Sequence, residues 1–311
     1  MKKSAFSLVE LSVVIAIIGL LIAGVAQASK MIRKSAITAA QSQTKQSVVR
    51  DMPGVVLWYE TTLDSSFIPE EAVSEGGITT WYDNNTQALS KSKAYTTVVA
   101  PLSRYTENAI NGLPAIRCGD SRLQVESPTE YRPTNADNIP IAINSFTIFL
   151  VAYSTTTHQI DAKSNASTDG TSGQTYPIGA AYSGGFIEST TISGAGISLG
   201  TNGVSVYEHA ISYMPPIAVY DGSTSKLLER PAVITVDYNN KTPTIFINST
   251  TSRTGLLSPK TTVAAPLDFC WGQYGAFAGY IGEVIIFDRH LLTDERKAVE
   301  KYLGKKWKID F

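Results

Sequence analysis

Between Lys3 and Lys30 the chain carries one charged residue, Glu10, in a stretch that is otherwise almost wholly apolar. From Leu11 to Ala26 it reads LSVVIAIIGLLIAGVA, and Phe6, Leu8 and Val9 extend the run to about 20 residues, enough to span a bilayer. Three readings of this segment compete. Lys2 and Lys3 in front of it, and Ala26-Gln27-Ala28 ahead of Ser29, fit a cleaved secretory signal peptide. Its length fits a retained single-pass anchor equally well. The third reading is a membrane helix processed at its own N-terminus. Glu10 weighs against the first, because a carboxylate inside the apolar run costs roughly 1 to 3 kcal/mol depending on depth. A signal peptide has no use for that cost.

The residues Lys2-Lys3-Ser4-Ala5-Phe6-Ser7-Leu8-Val9-Glu10-Leu11 resemble the N-terminal processing signature of type IV pilins and type II secretion pseudopilins. In that family a short basic leader is cut off just before a Phe, the new N-terminus is methylated, and the fifth mature residue is Glu. The resemblance places the cut between Ala5 and Phe6 and puts Glu10 at that fifth position. The family usually has Gly before the scissile bond, and this chain has Ala5, which is also small. Phe6 and Glu10 are one turn apart on a helix and share a face. A freed α-amino group is cationic near neutral pH, and a carboxylate in the first helical turn is favoured by the helix dipole. In a filament that carboxylate can neutralise the amine of a neighbouring subunit in apolar surroundings and so set axial register. The implied partners are other pilin or pseudopilin subunits, a prepilin peptidase, and the bacterial inner membrane before assembly. Charge alone does not decide topology, since Lys2 and Lys3 on one side face Lys30, Arg33 and Lys34 on the other. The resemblance implies a cytoplasmic leader and an exported body.

From Ala28 to Asp51 there is no Gly or Pro, so the helix is expected to continue to about Arg50, roughly 67 Å from Phe6, and to stop at Pro53-Gly54. The chain thus divides into a leader of residues 1–5, a helix of residues 6–52 that spans the membrane to about residue 28, and a body of residues 54–311.

In the body the helical period gives way to short apolar runs: VVLWY, PAIRC, FTIFLVAY, AVITVDY, TIFINS and EVIIFD. Turn residues separate them, and Asn239-Asn240 between two of them predicts a hairpin. Many strands without intervening helices predict a mainly β fold, antiparallel sheets packed as a sandwich or jelly roll. At the C-terminus, Ala298, Val299, Tyr302, Leu303 and Trp307 share one face of a helix that Thr293 is expected to cap. Lys305, Lys306 and Lys308 at its end are expected to form a solvated face, with an anion-binding patch as the alternative. Three blocks resemble laminin-G-like, concanavalin A-like jelly rolls: Val55–Tyr59 with Trp81-Tyr82-Asp83, Ile110–Arg117, and Gly279–Arg289 continuing to Trp307. The departure is Cys118-Gly119-Asp120, where that family usually has Phe-Asp-Gly.

With 26 Lys and Arg against 27 Asp and Glu, the chain has no overall electrostatic case for nucleic acid. Glucanases share the concanavalin-like fold, but their tight Glu-x-Asp-x-Glu strand is missing. Gly196-Ile197-Ser198-Leu199-Gly200 matches the pattern of a hydrolase nucleophile with His209 and His290 downstream, yet no helix is expected after it. His158, His209 and His290 give no zinc spacing, and the loop acids Asp83, Asp120, Asp169 and Asp221 form no dense calcium loop. No cofactor or metal is expected. Trp58, Trp81, Trp271 and Trp307 adjoin apolar residues and read as core rather than as sugar-stacking platforms. Cys118 and Cys270 in an exported chain invite a disulfide, which would close a long loop and stabilise by roughly 5 kcal/mol; two buried thiols are the alternative. The expected function is non-enzymatic: a minor or tip subunit displaying a lectin-like domain for adhesion to glycans or a surface protein. The alternatives are a secreted carbohydrate-binding module released after Ala28 and, behind it, a glycoside hydrolase.

Overall fold

The computed structural model describes residues 8–89, 91–96, 102–119, 121–126, 142–160, 173–179, 191–209, 216–266, 268–272 and 275–311. Helix α1 spans Leu8–Lys45 without interruption, about 57 Å, and Gly19 and Gly24 inside it meet only open space. It ends five residues before the expected Arg50. A 3-10 turn at Val48–Arg50 then carries the chain to Pro53-Gly54. Gly54 is required there: its φ is +90°, and a Cβ would lie 2.6 Å from Asp288 Oδ1.

The strands follow in chain order. The first seven are β1 (Val55–Glu60), β2 (Thr80–Tyr82), β3 (Lys93–Thr96), β4 (Arg104–Ile110), β5 (Leu113–Arg117), β6 (Leu123–Glu126) and β7 (Phe146–Ser154). The next six are β8 (Ile178–Gly179), β9 (Ile192–Gly200), β10 (Gly203–His209), β11 (Ala218–Asp221), β12 (Ala232–Asn239) and β13 (Thr242–Ile247). The last are β14 (Thr251–Thr254), β15 (Thr262–Ala264), β16 (Asp268–Phe269), β17 (Trp271–Gly272), β18 (Gly275–Ala276) and β19 (Gly279–Phe287), and α2 (Thr293–Trp307) closes the chain.

These strands build the expected sandwich. One sheet has the order β14-β13-β12-β7-β19-β5-β4, with β1 also on β19; the other runs β11-β10-β9-β8-β16-β6-β3-β2, with β15 beside β9. All pairs are antiparallel except β15 with β9. Along one edge of β19, β5 pairs with Tyr280 and Ile281 while β1 pairs with Glu283 to Phe287, so two strands share it end to end.

The central strands of the first sheet, β7, β12 and β19, are buried on both faces, which explains their unbroken hydrophobic runs. Phe146, Ile148, Leu150 and Ala152 of β7 enter the core between the sheets, while Phe149 and Val151 enter a second core beneath the helices. That second core joins Ala40, Val49, Trp58, Val299, Leu303 and Trp307. The body is therefore three layers deep, sheet on sheet on helices.

The β12–β13 hairpin forms one residue later than the sequence suggests. Asn239 pairs with Thr242, so the turn residues are Asn240 and Lys241, with φ of 46° and 67°. A two-residue turn of this hand needs positive φ at both positions, and Lys241 is held there by its N–H on the Asn144 carbonyl and its Nζ on the Lys260 carbonyl. At α2, Thr293 is the first helical residue rather than the cap. The Glu295 carboxylate reaches back 2.9 Å to the Leu292 N–H and does the capping instead.

Candidate functional site

From Leu8 to residue 35 every residue of α1 is exposed, including Leu8, Leu20, Ile22 and Ile32, and an 18-residue window has a mean hydropathy of 2.7 with none of it buried. A helix apolar on all sides requires lipid or neighbouring chains around it. Two serines along it bond back to the helix: Ser12 Oγ donates to the Val9 carbonyl at 2.8 Å and Ser29 Oγ to that of Val25 at 2.9 Å. Glu10 lies in the first turn of the described helix and is exposed. Ala5 and Phe6, the expected processing residues, lie outside the described residues, as do the loop acids Asp120 and Asp169.

The other end of α1 is built into the body. Ala40 and Thr44 are buried, Gln41 Nε2 donates to the Thr62 carbonyl at 2.8 Å, and Arg33 pairs with Glu107 of β4. Thr44 Oγ1 lies 3.3 Å from the Tyr302 hydroxyl, and there the helix meets a buried ion cluster. Lys306 Nζ donates to Glu60 Oε2 and to Glu283 Oε2, each at 2.8 Å, with all three side chains inaccessible to solvent. Trp58 Nε1, the Tyr302 hydroxyl and Trp307 Nε1 each donate to the Glu283 carboxylate at 2.8 Å. Glu60 also accepts from Thr62, Leu63 and Ser66.

Burial acts to raise the Glu60 pKa, but the Lys306 ammonium and the surrounding donors outweigh it and hold the carboxyl below its ordinary value. Burial likewise acts against the Lys306 charge, and the carboxylates of Glu283 and Glu60 more than offset it, so the pKa is raised. The Tyr302 hydroxyl is pushed well up by burial and by Glu283. The register shifts at Gly282, Glu283 beyond it faces α2, and the Trp307 ring fills the space a Cβ at Gly282 would need, with an approach of 2.5 Å. The cluster ties β1, β19, α2 and α1 at one point.

Lys306 is therefore a correction to the sequence reading, which placed it with Lys305 and Lys308 on a solvated face. The signal was present: Lys306 lies three and four residues beyond Leu303 and Tyr302, on the apolar side of the helix. Glu60 and Glu283 were missed as well. Each was legible as a lone carboxylate ending or interrupting an apolar strand.

The other candidates are scattered. Ser198 is buried within β9, and its partner is His158, with Nδ1 2.9 Å from Oγ, rather than His209 or His290. Burial lowers the pKa of His158 and of His209 to about 4. His290 holds Asp237 at 2.6 Å. Asp83 accepts from the N–H groups of Trp58 and Asn85 at 2.9 Å, and burial raises its pKa to about 6. Asp221 is the exposed last residue of β11 and accepts from the Ser223 N–H. Among the described residues no group of three His, Cys, Asp or Glu is placed to hold a metal ion. Trp58, Trp81 and Trp307 are core, whereas Trp271 is half-buried in the short β17, against expectation. Cys118 and Cys270 form a disulfide with Cα atoms 5.1 Å apart, linking the end of β5 to the β16–β17 junction and so one sheet to the other.

Residues 1–26 match the prokaryotic N-terminal methylation motif. No curated protein sequence matches the chain. Among solved structures it is similar to the binding domain of botulinum neurotoxin DC in complex with SialylT, at 13% identity and a TM-score of 0.47, covering 80% of this chain and 51% of that one. It is also similar to the binding domain of botulinum neurotoxin serotype D, at 12% identity and a TM-score of 0.44, over 80% of this chain and 51% of that one. A third is domain 4 of AbnA, an extracellular arabinanase from Geobacillus stearothermophilus in complex with arabinotriose, at 14% identity and a TM-score of 0.36, over 80% and 97%. The chain spans about half the length of the toxin domains it matches. It thus joins a prepilin-type N-terminus to one long apolar helix and a β-sandwich body, and the motif implies processing by prepilin peptidase and assembly with other pilin subunits.

Proposed function

We propose that the chain is a minor pilin-like or pseudopilin-like subunit of a type IV pilus or a type II secretion-type filament. The observation that carries this reading is an apolar helix that the body leaves wholly uncovered over residues 8–35 and that a methylation motif at residues 1–26 overlaps. A leader of residues 1–5 is removed by prepilin peptidase, Phe6 becomes the methylated N-terminus, and residues 6 to about 28 hold the subunit in the inner membrane until assembly. In the filament Glu10 neutralises the Phe6 amine of a neighbour, where apolar surroundings make an unpaired carboxylate costly. The body of residues 54–311 is displayed outside in a non-enzymatic, adhesive role toward a glycan or a surface protein. Burial of Ser198 inside a strand supports the non-enzymatic reading, because a nucleophile must reach its substrate.

Mass spectrometry of the mature protein tests this. A methylated Phe6 at the N-terminus is expected, and a mature chain beginning at Ser29 would overturn the filament reading in favour of a secreted module. For the ligand, a glycan array is probed with the chain shortened to start at Lys34, because Ala36 and Ala40 belong to the second core. Binding to a defined glycan class is expected, and silence across the array would remove the glycan and leave a protein ligand.

A further inference from the structure

The β4–β5 hairpin, which α1 passes as it leaves the body, adjoins a concentration of cations. β19 gives the body a direction: its Phe287 end pairs with Val55 and Thr147, and its Gly279 end with Ser154. The segment after α1 sits at the Phe287 end, where the carbonyls of Pro53 and Gly54 accept from Arg289 Nε and the Asp288 N–H. Followed backwards, α1 meets Tyr302 at Thr44, Thr62 at Gln41 and Glu107 at Arg33. Glu107 belongs to β4, whose partner β5 touches β19 only at Tyr280 and Ile281. The helix therefore crosses from Tyr302 to β4, whose turn residue Asn111 follows Glu107 by four positions, and its uncovered apolar residues project beyond that hairpin.

α2 runs from the Phe287 end of β19 toward the Gly279 end. His290, just before it, holds Asp237, which pairs with Thr147 at the Phe287 end, while Trp307 in its last turn covers Gly282 and its carbonyl accepts from Asn111. Here two open depressions of about 730 and 450 Å³ adjoin, sharing Lys308, Ile309 and Asp310. Four cations come from α2 and its cap, Lys297, Lys301, Lys305 and Lys308, at spacings that align them on one face. Lys226 and Arg230 come from the loop before β12. All six are exposed, and among the described residues none is in an ion pair. Asp310 is the acid that lines both depressions, and the whole chain carries a formal charge of −1, so this charge is local. Lys30 and Lys34 stand exposed on α1 immediately after the apolar run, and Phe311, 44% exposed, adds an aromatic ring beside the lysines.

We propose that this groove binds anionic phospholipid headgroups and seats the body on the bilayer surface while α1 is inserted. The inference rests on the reading of α1 as membrane-spanning. If residues 8–28 cross the bilayer, the side of the body that carries the β4–β5 hairpin is turned to the headgroups, and Asn111 of that hairpin lines the groove. Six cations with flexible stems fit a field of phosphates better than the fixed hydroxyl pattern of a neutral sugar. Each Lys or Arg beside an anionic surface contributes about fivefold in affinity, screened by salt over a Debye length.

The test uses the full chain in nanodiscs of phosphatidylcholine, with and without phosphatidylglycerol, and reads lysine acetylation rates peptide by peptide by mass spectrometry. Phosphatidylglycerol is expected to slow acetylation of Lys226, Lys301, Lys305 and Lys308 at least about fivefold, with high salt restoring the rate. The combined variant Lys297→Gln, Lys301→Gln, Lys305→Gln and Lys308→Gln should lose the protection of Lys226. Equal rates in both kinds of disc, in a chain whose residues 8–28 are protected from exchange, would overturn this inference and leave the membrane reading intact. A chain that does not associate with discs at all would overturn both. Equal protection in neutral discs by inorganic phosphate or by heparin would reassign the groove to a soluble anion or an acidic polysaccharide.

Discussion

α1 presents the longest apolar surface of the chain and buries none of it over residues 8–35, whereas α2, built largely from Lys, Arg, Glu and Asp, buries Lys306, Glu300 and Arg296. The contrast follows from where each helix finds its partners. α2 finds them within the chain: Arg296 pairs with Glu300 and lies over the Phe246 ring, and Lys306 is enclosed by two carboxylates and their donors. The free half of α1 has no covering surface here, so its partners must be lipid or other subunits. Changes to the two regions should therefore be read by different instruments, the body by unfolding and α1 by assembly.

The largest effect on the body is expected from its one covalent tie. Replacing Cys118 and Cys270 by Ser releases a loop of 152 residues and should cost about 5 kcal/mol in the chain-entropy account, seen as a lower urea midpoint. An unchanged midpoint would mean that the bond is not formed in the folded protein. Lys306→Met comes next, at roughly 3 to 5 kcal/mol, because it leaves Glu60 and Glu283 buried without their cation. Adding Glu60→Gln and Glu283→Gln to it should recover much of the loss. If it recovers none, packing rather than orphaned charge is the cause.

The architecture was legible because its signals are collective. The runs FTIFLVAY and EVIIFD each supply several apolar residues to both faces of one sheet, AVITVDY supplies four to the inner core and Val233 to the other, and an error of one residue leaves the strand in place. The hairpin shows the limit: Asn239-Asn240 marked the turn, but the contacts that hold Lys241 at positive φ come from residues 144 and 260, remote in the sequence. The ion cluster failed to appear for the same reason. Glu60, Glu283 and Lys306 are 223 and 23 residues apart along the chain, and charge by itself argues for exposure. Only the helical spacing of Lys306 from Tyr302 contradicted that rule. Trp271 resembles the other three tryptophans in local sequence, and its partial exposure depends on the packing of β17.

Acid should reveal a smaller effect of about 3 kcal/mol at a single residue. His158 is buried, and its folded pKa of about 4 lies below the ordinary value near 6.5. The unfolded chain therefore binds the proton first as pH falls, and stability is lost between about pH 6.5 and 4. His209 acts in the same direction, while Asp83, with its pKa raised to about 6, acts in the opposite one by taking up a proton when folded. His158→Gln should flatten the acid limb by about 3 kcal/mol in unfolding free energies from urea titrations across that range. An unaltered limb would assign the loss to other groups. Glu60 enters only at lower pH: its folded pKa is depressed, so its contribution is present above the unfolded value and lost as pH falls through the folded one.

The smallest expected change in stability accompanies the largest expected change in function. Glu10 is exposed in the free half of α1, more than twenty residues from the first buried position at Ala40, so Glu10→Ala should leave the unfolding of the body where it was. In a filament the same substitution removes the carboxylate proposed to neutralise a neighbour's amine in an apolar interior, where the orphaned cation carries the full desolvation cost. Glu10→Ala is thus expected to abolish recovery of the subunit in sheared filaments while its unfolding free energy in urea stays within about 0.5 kcal/mol of the parent. Glu10→Asp separates charge from reach: with one methylene less, partial incorporation would show that the distance across the subunit interface matters as well as the charge. Incorporation of Glu10→Ala at the parental level would break the comparison, because the carboxylate in the most apolar part of the chain would then have no role in bringing subunits together.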